Sequence, residues 1–148
     1  MEEIIETKHE EIDTDELFII SGYLGVKPLE KLADLPIDCK IIYGMYDNGI
    51  SEKLNEQFLK MQRGNSNIDI FYSIAPVHTK CYIWKKNNII KYALSGSANF
   101  TTNGLNNDYR ELLAEFKTDG YDMLKEYKEK ILKESIRCDI VENLIATG

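Results

Sequence analysis

Short apolar runs alternate with helix-patterned segments in the first half of the chain, and this alternation constrains the fold most strongly. Apolar runs long enough for buried strands occupy residues 17–20, 39–44 and 68–72. Residues 28–33 suit a short helix, and apolar side chains recur at helical spacing over residues 50–61, with Ser51 as a suitable N-cap. A strand–helix–strand–helix–strand order implies right-handed crossovers, and hence a mixed sheet with helices packed on its faces.

The second half of the chain is predicted to complete this sheet. Residues 77–84 and 89–94 pair as a hairpin about Asn87-Asn88, a dipeptide that tolerates positive φ, and residues 112–116 form another strand. A closing helix is capped by Asp119, and its apolar stripe consists of Met123, Leu124, Tyr127 and Ile131. The predicted class is therefore α/β, a mixed β-sheet flanked by helices on both faces.

The charge of the chain is unevenly distributed. The 148 residues suit one domain, and the net charge is −7. Residues 1–16 carry eight acids and one base, and are predicted to be an acidic N-terminal extension. The remaining residues, 17–148, carry 17 acids and 17 bases, and are predicted to form the domain itself. A neutral domain should bind DNA weakly, because that affinity comes largely from neutralised phosphates. Four lysines near the predicted hairpin, Lys80, Lys85, Lys86 and Lys91, predict a local positive bias, although Lys85 and Lys86 equally suit the solvation of an exposed hairpin.

Composition also excludes several classes of protein. No apolar stretch approaches the roughly 20 residues that span a bilayer, so no membrane partner is expected. The acidic N-terminus resembles neither a signal peptide nor a transit peptide. Cys39, Cys81 and Cys138 are odd in number and widely spaced, which favours reduced thiols in a cytoplasmic protein. No cluster of acids, histidines or cysteines has the spacing of a metal site, so neither a metal nor another cofactor is expected.

Chemistry is concentrated between residues 78 and 99. His78 and Lys80 are two apart, so on a strand they project from one face of the sheet. After the next predicted strand, the turn Gly96-Ser97-Ala98-Asn99 can return a hydroxyl and an amide to that face. A nucleophile or base, a fixed cation and two neutral hydrogen-bonding groups suit a phosphodiester.

Structural roles compete with these functional ones. A single histidine is commonly a surface or core residue, Asn99 can cap the following turn, and Ser97 can bond local backbone. Because Lys80 and the Gly-Ser-x-Asn segment lie near His78 in the predicted hairpin, a catalytic role is favoured for His78. The second histidine, His9, lies in the acidic segment without such company and is predicted to be solvated.

His-x-Lys followed by Gly-Ser-x-Asn resembles the motif of the phospholipase D superfamily. The resemblance covers residues 78–100, and residues 97–105 are similar to its nuclease branch, in particular the NgoFVII-like restriction endonucleases. It implies a phospholipase D-like fold and a metal-independent, restriction-type DNA endonuclease that forms a phosphohistidine at His78. It also implies that Lys80 and Asn99 hold a phosphate oxygen, and that Ser97 donates to the phosphate or orients the histidine.

A glutamate is expected to orient the histidine in the resembled nucleases. Glu111 lies 14 residues beyond Ser97 and matches their spacing, but Glu115 is a rival, because both point to one face of a regular strand. The superfamily's usual aspartate would fall at position 85, which is Lys85 here. This departure weighs against a phosphatidyl-transferring enzyme more than against a nuclease, and leaves open a catalytically degenerate nucleic-acid-binding domain.

The resemblance also predicts the assembly. Superfamily chemistry needs two histidines, and this chain has one copy of the motif, so we expect a homodimer with a shared active site on its two-fold axis. Restriction enzymes of the resembled family carry a separate DNA-recognition domain after the nuclease domain. The sequence therefore fits either a minimal nuclease or one domain of a longer chain, and we expect the second, the catalytic domain of a longer restriction enzyme.

Overall fold

A mixed β-sheet organises the protein. The computed structural model describes residues 2–44, 50–77, 80–96, 113–115 and 120–139. The helices in these residues are α1 (Glu2–Glu11), α2 (Val26–Ala33), α3 (Glu52–Gly64) and α4 (Tyr121–Lys133). The strands are β1 (Glu16–Ser21), β2 (Asp38–Tyr43), β3 (Ile68–Ser73), β4 (Lys80–Lys86), β5 (Ile89–Gly96), β6 (Leu113–Glu115) and β7 (Ser135–Arg137).

Two connection types build this sheet. Its described strands lie in the order β6-β5-β4-β1-β2-β3-β7. The two strand–helix–strand units make β1, β2 and β3 parallel, whereas β4, β5, β6 and β7 pair antiparallel with their neighbours. As a result, β1, β2 and β3 end where β4 and β6 begin and β5 ends. We call this side of the sheet its carboxyl end.

Successive side chains on each strand point to opposite faces of the sheet, so each face carries its own part of the core. On β1, Leu17 and Ile19 pack with α1, α2 and α3, whereas Phe18 and Ile20 pack with α4 through Ile131. All four of these β1 side chains are fully buried, and each contributes about 1.5–3 kcal/mol of hydrophobic stabilisation. The predicted class, a mixed sheet with helices on both faces, is confirmed.

Local signals fixed several elements correctly. Ser51 caps α3, its Oγ accepting from the Leu54 amide at 3.2 Å. Asn87 and Asn88 form the hairpin turn with φ of 50° and 66°. The prediction for the closing helix was wrong in one respect: Met123 is 76% exposed, and Lys128 occupies a buried position instead. The predicted cap of that helix, Asp119, lies outside the described residues.

The acidic segment takes part in the fold over its described residues, 2–16. Residues 2–11 form α1, and Ile5, at 3% exposure, belongs to the core under α1, α2 and α3. The prediction that His9 is solvated was wrong, because its side chain is only 7% exposed. The acidic segment up to residue 16 and the described residues that follow it therefore form one packed unit.

Candidate active site

The two halves of the sequence motif meet at the carboxyl end of the sheet. Lys80 is the first residue of β4 and lies opposite Gly96, the last residue of β5. His78 precedes Lys80 by two residues and Ser97 follows Gly96, so the chain enters and leaves this pair through the proposed catalytic residues. The strand pairing therefore joins segments that are 16 residues apart in sequence.

A bulge sets this register. Beyond the hairpin turn, Lys85 pairs with Ile90, but Trp84 pairs with Tyr92, so Lys91 is an extra residue on β5. Without the bulge Lys80 would face Ser95. The extra residue brings Gly96 opposite Lys80, and the Gly-Ser-x-Asn segment thus starts directly beside the lysine.

Lys80 is a buried cation at this end, with a residue exposure of 7%. It shares a strand face with Tyr82, which packs into the core under α1, α2 and α3. Removal from water strengthens the interaction of an ammonium group with a nearby anion. This position therefore suits a phosphate-binding lysine better than an exposed one would.

An aromatic cluster lies on the same face of the sheet. The ring of Tyr43, at the end of β2, contacts those of Tyr23 and Tyr72 edge-on, with ring centroids 6.0 Å apart in both pairs. The Tyr72 hydroxyl donates to Asn55 Oδ1 at 2.5 Å. Burial, followed by the neighbouring Tyr23, raises the pKa of Tyr43 above its ordinary value of 10.0. None of these tyrosines was predicted as a site residue, although Tyr43 and Tyr72 lie at or next to the end of a predicted buried strand and Tyr23 lies just beyond one.

Most of the predicted catalytic residues lie outside the described part of the chain. These are His78, Ser97, Asn99 and Glu111. Lys80 is the one predicted site residue whose side chain is described. The backbone of Glu115 is described: it lies opposite Leu94 on β5, whereas Leu113 lies opposite Gly96.

Lys85 is remote from this site. It lies five residues along β4 from Lys80, roughly 17 Å away. Lys85 is buried, and its Nζ lies 2.8 Å from Glu16 Oε2, while Lys86 pairs with Asp13 at 3.5 Å. The predicted positive bias around the motif was therefore wrong for these two lysines. The lysine at position 85 serves an ion pair at the hairpin end of the strand.

That ion pair belongs to a buried cluster with excess positive charge. At the exposed edge of this cluster Lys40, whose side chain is 36% exposed, also approaches Glu16, with its Nζ 3.6 Å from Oε1. Lys128 of α4 lies over the Phe18 ring, 5.2 Å from its centroid. Burial, and then its hydrogen bond and charge repulsion with Lys85, lower the pKa of Lys128 from 10.5 to about 8. The cluster thus contains more cations than its one carboxylate neutralises.

Lys128→Met is expected to stabilise the fold by about 1 kcal/mol at pH 7, because it removes a buried charge and keeps an apolar stem of similar length. The folded chain binds the Lys128 proton less tightly than the unfolded chain. The free energy of unfolding that this group contributes therefore rises between pH 8 and pH 10.5, and the advantage of the variant shrinks over that range. Urea denaturation at pH 7 and pH 10 measures this difference.

Lys125 provides the matched control, since it lies on the same helix and is exposed. Lys125→Met should change the free energy of unfolding by less than about 0.5 kcal/mol at either pH. A Lys128→Met protein that is less stable than wild type at pH 7, or whose advantage grows with pH, would contradict this description of the cluster.

Two kinds of feature matter for the described residues, a group of metal-ligating side chains and a membrane-spanning helix. Across that part of the chain, no three histidines, cysteines or acids are grouped so as to hold a metal ion. No helix in the same ranges is long and apolar enough to cross a membrane. Cys39, Cys81 and Cys138 are free and buried, and burial raises the pKa of each thiol to about 12.

Comparison with known proteins agrees with this arrangement. NucT from Helicobacter pylori has a similar structure, with a TM-score of 0.64, over 92% of this chain and 87% of that one. The two sequences are 17% identical, so the likeness shows the phospholipase D-type fold. A comparison with curated proteins finds no sequence match. The model of the NgoFVII restriction endonuclease N-terminal PLD domain, where PLD denotes phospholipase D, matches residues 1–144. The chain therefore belongs to this family, and is a nuclease domain of the phospholipase D type.

Proposed function

We propose that this domain cleaves DNA without a metal ion, through a phosphohistidine at His78. The observation that carries the proposal is the Lys80–Gly96 pairing, which brings together the two chain segments that bear the motif. The buried ammonium of Lys80 supplies a fixed positive charge at this point. A preorganised cation in a poorly solvated site stabilises negative charge that develops on phosphate oxygens.

The reaction has two steps. One imidazole nitrogen of His78 attacks phosphorus, and the P–O bond to the departing nucleoside oxygen breaks with its electron pair on that oxygen. A second histidine protonates the departing oxygen. Water then attacks phosphorus and gives a proton to the second histidine, the P–N bond breaks with its electron pair on nitrogen, and both histidines return to their starting states. Lys80 and Asn99 hold non-bridging oxygens in both steps, and Ser97 donates to the phosphate or orients the histidine.

Glu111 is the proposed partner of the second imidazole nitrogen of His78. Strand register supports Glu111 over Glu115. On β6, Leu113 pairs with Gly96 at the carboxyl end of the sheet, while Glu115 lies two residues further from that end. Glu111 precedes Leu113 by two residues in the chain, so a backbone that continued the direction of β6 would carry it toward the motif. An acceptor there fixes the tautomer of the histidine and stabilises the imidazolium.

The second histidine is proposed to come from a second copy of the chain. The chain holds two histidines, and His9 is on α1, distant in sequence from the motif. A two-fold axis through the carboxyl end of the sheet would pair His78 with its copy and form one shared centre. Tyr23 and Ile74, large side chains 39% and 54% exposed beside that end, favour a covering surface there.

The setting of the enzyme follows from the same proposal. Its substrate is double-stranded DNA, as the restriction endonuclease family suggests. Its three buried free thiols favour the reducing cytoplasm. Recognition of a particular sequence is assigned to a further domain of a longer enzyme, since the net charge of −7 gives this domain little general affinity for phosphates.

Cleavage of plasmid DNA is expected to survive excess EDTA, with a rate within about twofold of the untreated enzyme, because Lys80 and the histidines replace the metal's roles. Agarose electrophoresis of supercoiled, nicked and linear DNA measures this rate. A magnesium-dependent nuclease treated in parallel shows that chelation is complete. Loss of cleavage in EDTA, restored by added magnesium, would refute the metal-independent mechanism.

A further inference from the structure

Gly44 connects the end of β1 to the segment that leads into the motif. This buried residue directly follows β2. Its amide donates to the Ser21 carbonyl at 2.7 Å, and its own carbonyl accepts from the Val77 amide at 2.9 Å. Val77 is the residue before His78 in the chain. The path from β3 into β4 is therefore held against β1 and β2 at the carboxyl end of the sheet.

The contact between Gly44 and Val77 has no room for a side chain. A Cβ built on Gly44 would overlap the Val77 carbonyl oxygen. It would also lie 3.1 Å from the Val77 carbonyl carbon and 3.2 Å from the Ser21 carbonyl oxygen. All three are backbone atoms, which cannot rotate aside as the end of a long side chain can. Any larger residue at position 44 therefore forces the backbone of residue 44 and the Val77 carbonyl apart, which changes the position of that carbonyl relative to β2.

That carbonyl belongs to the peptide bond that joins Val77 to His78. Because the peptide unit is planar, displacement of its carbonyl carries along the amide nitrogen and Cα of His78. We propose that Gly44 is a positioning residue, which sets the approach of His78 to the scissile phosphate by close contact with Val77. The proposal rests on the assignment of His78 as the nucleophile.

Gly44→Ala is expected to lower kcat at least about 100-fold, because a misplacement of about 1 Å in a reacting group costs about that much. KM for DNA should change by less than about threefold, since Lys80 and the DNA-contacting surface are retained. Gly64→Ala is the matched control: nothing lies within 4 Å of its added Cβ, so kcat and KM should both stay at wild-type values.

Imidazole NMR separates a displaced histidine from general damage to the fold. The chain has two histidines, so a spectrum of the side-chain carbons and nitrogens holds two signals, which His78→Ala assigns. Gly44→Ala should shift the His78 signal and its titration midpoint and leave His9 on α1 unchanged. Gly64→Ala should move neither. Unchanged His78 signals together with unchanged kcat in Gly44→Ala would overturn the proposal, as would equal shifts of both histidines.

Failure of the proposed function and failure of the positioning role would give different results. An inactive wild-type protein would contradict the proposed function, whereas the His78 signal in Gly44→Ala would still test the positioning role. Should Gly44→Ala not fold, Gly44→Ala/Val77→Gly gives the displaced backbone more freedom and is expected to fold with the same loss of kcat. Val77→Gly alone is its control, expected to retain at least a tenth of wild-type kcat. A double variant as active as Val77→Gly would also overturn the proposal.

Discussion

His78→Ala is expected to lower the rate of DNA cleavage at least about 10⁴-fold, to the background of the assay, because it removes the nucleophile from a two-step reaction. Plasmid cleavage by purified protein over hours to days measures the residual rate. The folded state is checked by the thermal unfolding midpoint, which should stay within a few degrees of wild type.

His9→Gln is the control for this variant, since it changes the other histidine of the chain. At temperatures below the unfolding midpoint of this variant, its rate of DNA cleavage should remain within about threefold of the wild-type rate. Mixing adds a test of assembly: under conditions that exchange subunits, adding His78→Ala protein should reduce activity more than dilution does, because heterodimers lack one histidine. Strictly proportional loss, or an active monomer in sedimentation, would contradict the shared active site.

Glu16→Gln is expected to destabilise the fold by about 3–5 kcal/mol, because it leaves the buried Lys85 without its counter-charge. Glu16 faces Lys85 at 2.8 Å and Lys40 at 3.6 Å, and the Lys85 side chain is only 6% exposed. A loss of this size is a large share of the 5–15 kcal/mol that stabilises a typical domain. Urea denaturation at pH 7 measures it.

Glu11→Gln is the exposed counterpart, since Glu11 is 63% exposed and pairs with Lys8 at 3.3 Å. Its cost should be below about 0.5 kcal/mol, as is usual for surface ion pairs. Glu16→Gln/Lys85→Met should recover part of the lost stability by removing one unpaired cation. Equal effects of Glu16→Gln and Glu11→Gln would contradict the central role of the buried cluster.

Local patterns in the sequence were sufficient to predict the order of the central elements. The apolar runs at 17–20, 39–44 and 68–72 lie in β1, β2 and β3, and Asn87-Asn88 forms the predicted turn. The family was evident from the motif, because its residue types and order are rarely combined by chance. The strand that leads from His78 was predicted from residue 77, but β4 is described from Lys80.

Features that depend on distant backbone were not predictable. The bulge at Lys91 sets the Lys80–Gly96 register, yet nothing in the local sequence marks it. Gly44 is confined by Val77, 33 positions later, through a contact that exists once the chain has crossed the sheet. Acidic composition concealed α1, whose packing depends on Ile5.

The helical spacing of apolar residues also failed to predict the buried face of the closing helix, because a charged residue is buried there. The predicted stripe of the closing helix included Met123, which is exposed, and omitted Lys128, which is buried with its ammonium near the Phe18 ring. Long lysine stems cover apolar surface while the charged end finds a partner. A binary pattern of polar and apolar residues does not represent this behaviour.

Direct detection of the covalent intermediate tests the central claim most sharply. Wild-type protein is mixed with DNA that carries ³²P phosphates, quenched in alkaline detergent from milliseconds to minutes, and digested with trypsin. Residues 64–80 form one tryptic peptide with His78 as its sole histidine, and residues 9–31 form another with His9, because trypsin does not cleave between Lys27 and Pro28. We expect an acid-labile phosphate adduct on the first peptide of the wild-type protein, and no such adduct in His78→Ala. Cleavage without this adduct, or an adduct on a different peptide, would contradict it.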